Sequence, residues 1–483
     1  MASFLRHASL ILTIINYSTL VSAALPAYSG TYGVGTIALE VPVADPRNIT
    51  DTVFKATKQP AFKLDTTLIN VYYPIDKNTK STKPQHPWLS VSADLIAKGL
   101  SDSLNGSISP ALIEIGFGIF ASDLAIPAEV DVNFLPGNES FPVMIFSHGN
   151  PTMTDWYSQY YGEMASRGVV IAGVAHRDGS SPATVVKFKN GTSYNVTAFT
   201  QDVVSPTMND TEFHRRQLEM RQAEFIEVTR TLQSIANGDG QAVFSANSRS
   251  EGQALAQWKG RIDMNRTIIA GHSFGSNAVL RYLQDSKPLV PAVAALPFDP
   301  GKDSGPLPTD VSLPILIPDS EEWSAKPTPF YGSQHFDVVK SIAASSLNKT
   351  GAGWFMTLRT TTVHTSLTDV GLIASSFVQF FTNDTSLITL DPKVALLQYV
   401  AVSGDFLTYV SNKTITGLLA TNVTYPTFKL FPNASVLKTP WEVHVAPTVP
   451  GTAASKSGAG RIRLELGELS VWVIMLMYVM FCL

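Results

Sequence analysis

The chain alternates between two patterns of apolar residues from residue 141 to residue 359. Short runs that are apolar throughout are typical of strands buried on both faces of a sheet, whereas apolar residues three or four positions apart are typical of helices that bury one side. The apolar runs occupy residues 141–147, 169–175, 267–270, 290–296, 313–318 and 354–359. Helical spacing occupies residues 155–166, 213–236 and the segment from Ser273 to about Leu283.

This alternation predicts an α/β fold with a mainly parallel central sheet, helices on both of its faces and surface insertions. Strands are also expected at residues 30–42 and 67–74, before the alternation begins. The apolar segment 111–126 is interpreted as a core helix rather than as a surface that contacts lipid. Two segments rich in Pro, Gly, Ser and Asp, 185–211 and 302–345, are expected to be loops or insertions.

The pentapeptide Gly271-His272-Ser273-Phe274-Gly275 matches the pattern G-x-S-x-G. In that motif a tight turn between a strand and a helix presents the serine, and the glycines allow the chain to turn. The pattern alone arises readily by chance. Here it follows the apolar run 267–270 and begins a segment with helical spacing, which is the context that the motif requires. The sequence therefore predicts Ser273 as a nucleophile.

A serine nucleophile needs a base and an acid that orients the base. Three histidines follow the pentapeptide: His335, His364 and His444. His364 comes a few residues after the run 354–359, so we expect it at the carboxyl edge of the sheet, where ligands bind. Asp299 and Asp319 each end a predicted strand, and their spacing does not distinguish them as candidates for the acid.

The developing oxyanion needs backbone N–H donors. The N–H of Phe274 is one candidate, because it begins the helix after the predicted nucleophile. His148-Gly149-Asn150 directly follows the apolar run 141–147, where a motif of this kind presents the second donor. We therefore expect Asn150 to supply it.

Both ends of the chain carry patterns that are typical of sorting signals. Residues 1–23 combine a short basic start, an apolar run over 8–21 and a small-residue cleavage pattern at Val21-Ser22-Ala23, as in a secretory signal peptide. Asn-x-Ser/Thr sequons favour a glycoprotein of the secretory pathway, extracellular or at the cell surface. They begin at Asn48, Asn105, Asn138, Asn190, Asn195, Asn209, Asn265, Asn348, Asn383, Asn412, Asn422 and Asn433.

The last residues have the layout of a GPI-anchor signal. Residues 469–483 are almost entirely apolar, a run shorter than the roughly 20 residues that span a bilayer. Small residues lie upstream, between 455 and 460. We expect residues 438–460 to form a polar linker that contains the attachment site and residues 461–483 to be removed. The lipid anchor would then attach the protein to a membrane surface.

Composition excludes several other classes of protein. The formal net charge of −4, with 15% charged residues, gives no basic excess for a nucleic-acid partner. The single cysteine, Cys482, lies in the apolar tail, so the processed chain would have neither disulfides nor a thiol nucleophile.

Four segments resemble the platelet-activating factor acetylhydrolase family, of the secreted and group VII phospholipase A2 type. They are FSHGN (146–150), VAHRDGSSPAT (174–184), IAGHSFGSNAVL (269–280) and VHTSLTD (363–369). The resemblance to the family covers roughly residues 28–375. The resemblance implies the α/β-hydrolase fold and an acyl-enzyme on Ser273 with His364 as base. It also implies Asp299 as the acid, with Asp319 second, backbone donors at Phe274 and Asn150, and neither metal nor cofactor.

The same resemblance implies hydrolysis of the sn-2 acetyl, short or oxidised acyl ester of phospholipids. A broad carboxylesterase or polyester hydrolase is the alternative, because a fold alone does not determine its substrate. A catalytically silent surface glycoprotein is less favoured, since all three predicted catalytic residues are present. The predicted catalytic domain covers residues 24–437, with an extension from about 376 that lies beyond the resemblance.

Overall fold

The computed structural model describes residues 24–284, 292–302, 304–325, 328–359, 362–373, 391–427 and 440–448. The strands are β1 (Gly33–Asn48), β2 (Val53–Phe54), β3 (Lys63–Ile75), β4 (Glu129–Val130), β5 (Phe141–Ser147), β6 (Val170–Ala175), β7 (Ala183–Lys187), β8 (Ser193–Thr197), β9 (Val204–Ser205), β10 (Ile262–His272), β11 (Ala292–Phe298), β12 (Ile315–Ser320), β13 (Pro329–Phe330), β14 (Ser333–Gln334), β15 (Gly353–Leu358) and β16 (Trp441–Val445). The α-helices are α1 (Ala93–Ser103), α2 (Pro110–Phe120), α3 (Ser158–Ala165), α4 (Asp210–Ser234), α5 (Gly240–Ala246), α6 (Phe274–Gln284), α7 (Glu321–Ala325), α8 (His335–Thr350) and α9 (Pro392–Asn412).

One large sheet organises the described residues. Its ten strands lie in the order β16-β15-β12-β11-β10-β5-β6-β3-β1-β4. The strands from β15 through β6 run parallel to their neighbours, while β3 pairs antiparallel with β1 and β6, and β16 pairs antiparallel with β15. The predicted α/β-hydrolase fold, with a mainly parallel central sheet, is confirmed.

Helices cover both faces of this sheet. Alternate residues of β5 enter two different cores, because successive side chains of a strand point to opposite faces. Met144 and Phe146 pack on the face that α3 and α9 cover. Val143 and Ile145 pack on the opposite face, with α4, α6 and α8. This two-sided burial explains why the central strands are apolar throughout.

Two sequence-based interpretations of the C-terminal half are wrong. The expected insertion 302–345 contains the first part of α8, whose buried residues Phe336, Val339 and Ile342 recur at helical spacing. The expected polar linker 438–460 contains β16, which is buried throughout and pairs with β15. The boundary at residue 437 therefore cuts off a strand of the central sheet. Similarly, the expected insertion 185–211 includes most of the β7–β8 hairpin.

Several predicted segments lie outside the described residues. These are the signal peptide 1–23, the anchor region from 449, the removed segment 461–483 and part of the extension after 376. The described part of that extension is mainly α9. Within the described ranges, α9 is the helix whose length and apolar composition would suit a membrane span, but 56% of that window is buried inside the protein, where α9 contributes Tyr399 and Phe406 to the core.

Candidate active site

The predicted nucleophile lies at a sharp turn between β10 and α6. Ser273 has a φ of +54°, in the left-handed region that costs a non-glycine residue about 1–2 kcal/mol. A Cβ at Gly271 would lie 2.5 Å from the backbone of Gly275, and a Cβ at Gly275 would lie 2.0 Å from the carbonyl oxygen of Ser147. Both glycines are therefore required for the chain to turn against β5.

Backbone hydrogen bonds fix this turn to the segment that carries Asp299. The N–H of Ser273 donates to the carbonyl of Phe298 at 3.0 Å, and the N–H of Gly301 donates to the carbonyl of Ser273 at 3.2 Å. Asp299 itself, with a φ of +44°, lies between these two contacts. The ends of β10 and β11 therefore hold Ser273 and Asp299 in a fixed relation.

The structure brings Asp299, rather than Asp319, to His364. The Nδ1 of His364 lies 2.8 Å from Oδ2 of Asp299. That oxygen also accepts the hydroxyl of Ser320 at 2.8 Å, and Oδ1 of Asp299 accepts the N–H of Ser320 at 2.6 Å. Asp319 accepts a hydrogen bond from Ser324 at 3.2 Å, and its other oxygen has no hydrogen-bond partner among the described residues. The contact with His364 therefore distinguishes Asp299 from Asp319, which the spacing in the sequence did not.

Burial sets the protonation states of these groups. It raises the pKa of Asp299 to about 6, against the hydrogen bonds from Ser320, so the carboxyl remains ionised at neutral pH. Burial, followed by the negative charge of Asp299, raises the pKa of Asp319 well above its usual range. Burial also lowers the pKa of His364, against the charge of Glu322, so the imidazole is neutral. A neutral imidazole beside an ionised carboxylate can accept a proton on Nε2.

Aromatic rings hold the imidazole of His364 in place. The ring of Trp323 stacks on it with a centroid distance of 3.8 Å and an interplanar angle of 11°. The ring of His272, the residue before Ser273, lies 4.4 Å away by the same measure. Glu322 accepts the backbone N–H of His364 at 2.9 Å. Trp323 and Glu322 were not among the predicted site residues, and nothing in their local sequence indicates these contacts.

The segments that carry the two predicted oxyanion donors lie next to Ser273. Phe274 is the first residue of α6, and the first N–H groups of a helix have no partner within the helix. Asn150 is exposed and directly follows Gly149, where a Cβ would lie 3.2 Å from the Cβ of Ser273. The loop after β5 therefore contacts the turn after β10.

Tyr157 connects these two segments. Its hydroxyl accepts the N–H of Gly149 at 3.1 Å and lies 2.8 Å from Nδ1 of His272. The tyrosine is fully buried, in the 3-10 turn Thr154–Tyr157 that precedes α3. Sequence reasoning did not identify it, because its apolar spacing indicates only a core residue.

The other two candidate histidines make different contacts. His335 is buried at the start of α8, with its ring centroid 5.1 Å from that of Phe330. His444 lies in β16, and its Nε2 is 2.7 Å from the hydroxyl of Thr357.

One cluster within the described ranges has the composition of a metal site. Potential ligand atoms of His272, Asp299 and His364 all lie within 4.8 Å of one another. The carboxylate of Asp299 already contacts His364 and accepts two hydrogen bonds from Ser320. These contacts are those of an acid–base pair whose carboxylate orients an imidazole.

Comparison with known proteins gives relatives of modest identity. A putative phospholipase A2 of Schizosaccharomyces pombe is 27% identical over 274 residues, 52% of this chain and 57% of that protein. The platelet-activating factor acetylhydrolases of Gallus gallus and Cavia porcellus are 29% and 27% identical, over 43% and 62% of this chain. The chain aligns with 48% and 60% of their respective lengths, so it spans about half to three fifths of the curated relatives.

Among solved structures, a ferulic acid esterase from Streptomyces cinnamoneus has a TM-score of 0.49 at 17% identity, covering 82% of this chain and 94% of its own. The family model described as platelet-activating factor acetylhydrolase, isoform II, matches residues 17–414, which include the Ser273 turn, Asp299 and His364. The chain belongs to the platelet-activating factor acetylhydrolase, isoform II, family.

Proposed function

We propose that this protein is a carboxylic ester hydrolase that acts through an acyl-enzyme on Ser273. The observation that carries the proposal is the His364–Asp299 pair at 2.8 Å, adjacent to a serine on a left-handed turn at the N-terminus of α6. This combination supplies a base, an orienting acid, a nucleophile and oxyanion donors at one edge of the sheet.

The proposed reaction has two steps. Nε2 of His364 removes the hydroxyl proton of Ser273 as the serine oxygen attacks the ester carbonyl, and the N–H groups of Phe274 and Asn150 bind the oxyanion. The protonated imidazole then donates its proton to the leaving alcohol. Water, deprotonated by the same nitrogen, hydrolyses the acyl-enzyme and restores the serine. Asp299 keeps the imidazole in the required tautomer throughout.

The proposed substrates are phospholipids with an acetyl, short or oxidised sn-2 acyl chain. Membership of the family and the names of the relatives support this substrate class. Initial rates should be compared on a short-acyl glycerophosphocholine, a simple acyl ester and an aliphatic polyester. Turnover of only the latter two would favour the broad carboxylesterase or polyester hydrolase instead.

Labelling by a fluorophosphonate probe tests the chemistry separately from the substrate. The wild-type protein should label and Ser273→Ala should not. A wild-type protein that neither labels nor hydrolyses any of the esters would contradict the proposal and would favour a silent surface glycoprotein.

We also propose that the protein enters the secretory pathway, carries N-linked glycans and is attached to the cell surface by a GPI anchor. The patterns of residues 1–23 and 455–483 support the targeting. Among the ten sequons in the described ranges, nine present an exposed asparagine, and Asn422 is half-buried. Glycosidase treatment should shift the electrophoretic mobility of the native protein, and phosphatidylinositol-specific phospholipase C should release it from membranes. A protein that neither treatment alters would contradict this proposal.

A further inference from the structure

A buried guanidinium lies beneath the two proposed oxyanion donors. Arg221, in the middle of α4, is fully buried. Its Nη1 donates to the carbonyl of His148 at 2.6 Å, two residues before Asn150. The Cζ atom of the same guanidinium lies over the ring of Phe274, 4.6 Å from the ring centroid. One side chain therefore contacts both donor-bearing segments, which come from distant parts of the sequence.

Other buried side chains fix the orientation of this guanidinium. Nε of Arg221 donates to Asp178 at 2.7 Å, and Nη2 donates to the hydroxyl of Ser180 at 2.5 Å. Burial raises the pKa of Asp178, but the charge of Arg221, the nearby His176 and the hydrogen bonds from Ser180 and Arg221 together outweigh it and hold this pKa at about 2. The two side chains thus form a buried ion pair. A planar group held on three edges cannot rotate, so it keeps a fixed position against both segments.

The contact of Arg221 with the Phe274 ring and its hydrogen bond to His148 hold two different segments in place. The hydrogen bond to the carbonyl of His148 fixes the path of the chain that leads to the N–H of Asn150. The contact with Phe274, of the cation–π type, holds the first residue of α6 against the same group. Oxyanion donors act only when they are aimed at the position of the developing charge.

We propose that Arg221 is a positioning residue that sets the separation and orientation of the Phe274 and Asn150 N–H groups. This inference rests on the proposed acyl transfer at Ser273. Arg221 itself contacts neither substrate nor the reacting atoms, so its effect is exerted through the transition state rather than through substrate binding.

The test compares Arg221→Lys with the matched control Arg177→Lys. Lysine keeps the positive charge opposite Asp178 but loses the planar fork that hydrogen-bonds Asp178, Ser180, Ser147 and the carbonyl of His148. Arg177 is also buried (3% exposed) and directly precedes Asp178 in the sequence. Its side chain bonds to Thr66 and Glu40 rather than to either donor segment.

The measurements are kcat and KM on the best ester substrate, the rate of fluorophosphonate labelling, and the melting temperature. Removal of one oxyanion donor costs about 10²–10³ in kcat. Arg221→Lys should displace both donors without removing either, so we expect a smaller loss of kcat, about 10- to 100-fold, with KM changed less than about threefold. Labelling should slow in parallel, because phosphonylation also develops negative charge on the oxygen. Arg177→Lys should lower the melting temperature while kcat stays within about threefold of the wild type.

Two outcomes would overturn the inference: an Arg221→Lys protein with the kcat of the wild type, or equal losses of kcat in both variants, which would indicate general loosening of the core. If Arg221→Lys does not fold, the double variant Arg221→Gln with Asp178→Asn removes both charges together and decides by the same criteria. Wild-type turnover and labelling are measured first, and their absence would refute the proposed function rather than the role of Arg221.

Discussion

The described residues include two sets of a serine, a histidine and an acid that lie near one another, here called the open and the closed set. In the open set, Asp299 contacts Nδ1 of His364, next to the turn of Ser273. In the closed set, Glu224 contacts Nδ1 of His176 at 2.5 Å, and Nε2 of His176 lies 2.7 Å from the hydroxyl of Ser147. The closed set therefore has the connectivity of a catalytic triad, yet all three of its members are almost completely buried.

Three differences separate the two sets. Ser147 belongs to the regular strand β5, and its hydroxyl is also bonded to Arg221 at 3.0 Å, whereas Ser273 lies on a left-handed turn in front of a helix. The His364 side chain is 23% exposed, compared with 0% for that of His176.

The third difference is charge. Burial raises the pKa of Glu224 to about 8, so this acid is protonated at pH 7, whereas Asp299 is ionised. Connectivity alone therefore does not define an active site; access, backbone conformation and protonation state do.

The largest expected effect comes from removing one serine at a time. Ser273→Ala should lower kcat by about 10⁴-fold or more and abolish fluorophosphonate labelling. Ser147→Ala should still label, but should lose about 1–3 kcal/mol of unfolding free energy because His176 and Arg221 each lose a partner. Labelling of Ser273→Ala that disappears only when Ser147 is also replaced would reverse the assignment of the two sets.

The next largest effect is expected from the acids of the open region. Asp299→Asn should lower kcat by about 10³–10⁴-fold, because an amide no longer holds His364 in the reactive tautomer. Asp319→Asn should change kcat by less than about threefold, since the Asp319 carboxyl bonds to Ser324 and not to His364. If Asp319→Asn is the more damaging substitution, the geometric choice between the two aspartates is wrong.

A smaller effect is expected from the ring that stacks on the base. Trp323→Leu should lower kcat about 3- to 10-fold, the equivalent of a lost aromatic contact, and Trp323→Phe should restore most of it by keeping the stacking. Steady-state kinetics on one ester measures both variants. An unchanged kcat in Trp323→Leu would show that other contacts suffice to orient His364.

The smallest effect is expected from Glu224→Gln in the closed set. Because Glu224 is protonated at pH 7, its amide analogue should leave kcat within about threefold. The unfolding free energies of the two proteins should agree within about 1 kcal/mol only near pH 4.5 and below, where the unfolded wild type is protonated as well. The raised pKa means that the folded wild type keeps a proton that the unfolded chain has released. Between about pH 4.5 and 8 the wild type should therefore lose up to about 1.4 kcal/mol of stability per pH unit relative to Glu224→Gln.

Urea unfolding of both proteins at pH 5 and pH 8 checks this difference. A difference in unfolding free energy that is independent of pH would mean that Glu224 is ionised in the folded protein. The contrast in charge between the two sets would then be lost.

The sequence predicts those features of the site that local patterns encode. The strand–turn–helix context identified Ser273, and the position of His364 after a strand identified the histidine that contacts Asp299. The distinction between Asp299 and Asp319 needed either the family resemblance or the coordinates, since both end buried strands. Trp323, Tyr157 and Arg221 contact residues that are distant in sequence, and no local pattern reports such contacts.

The fold was predictable to a similar extent. Continuous apolar runs located the parallel strands, because burial on both faces leaves no polar positions. The strand β16 (WEVHV) was missed because its charged Glu442 is stabilised by Arg359, from just beyond the end of β15, at 2.8 Å, a contact that spacing does not reveal. The helix α8 was missed because segments rich in Pro and Gly flank it.

The position of β16 has a consequence for the synthesis of the protein. Trp441 and Val443 complete the sheet core only after the ribosome has translated the whole segment that separates β15 from β16. Until then β15 is a sheet edge whose main-chain N–H and C=O groups can pair with other chains. Chain termination between β15 and β16 should therefore leave this edge exposed and yield an aggregating product.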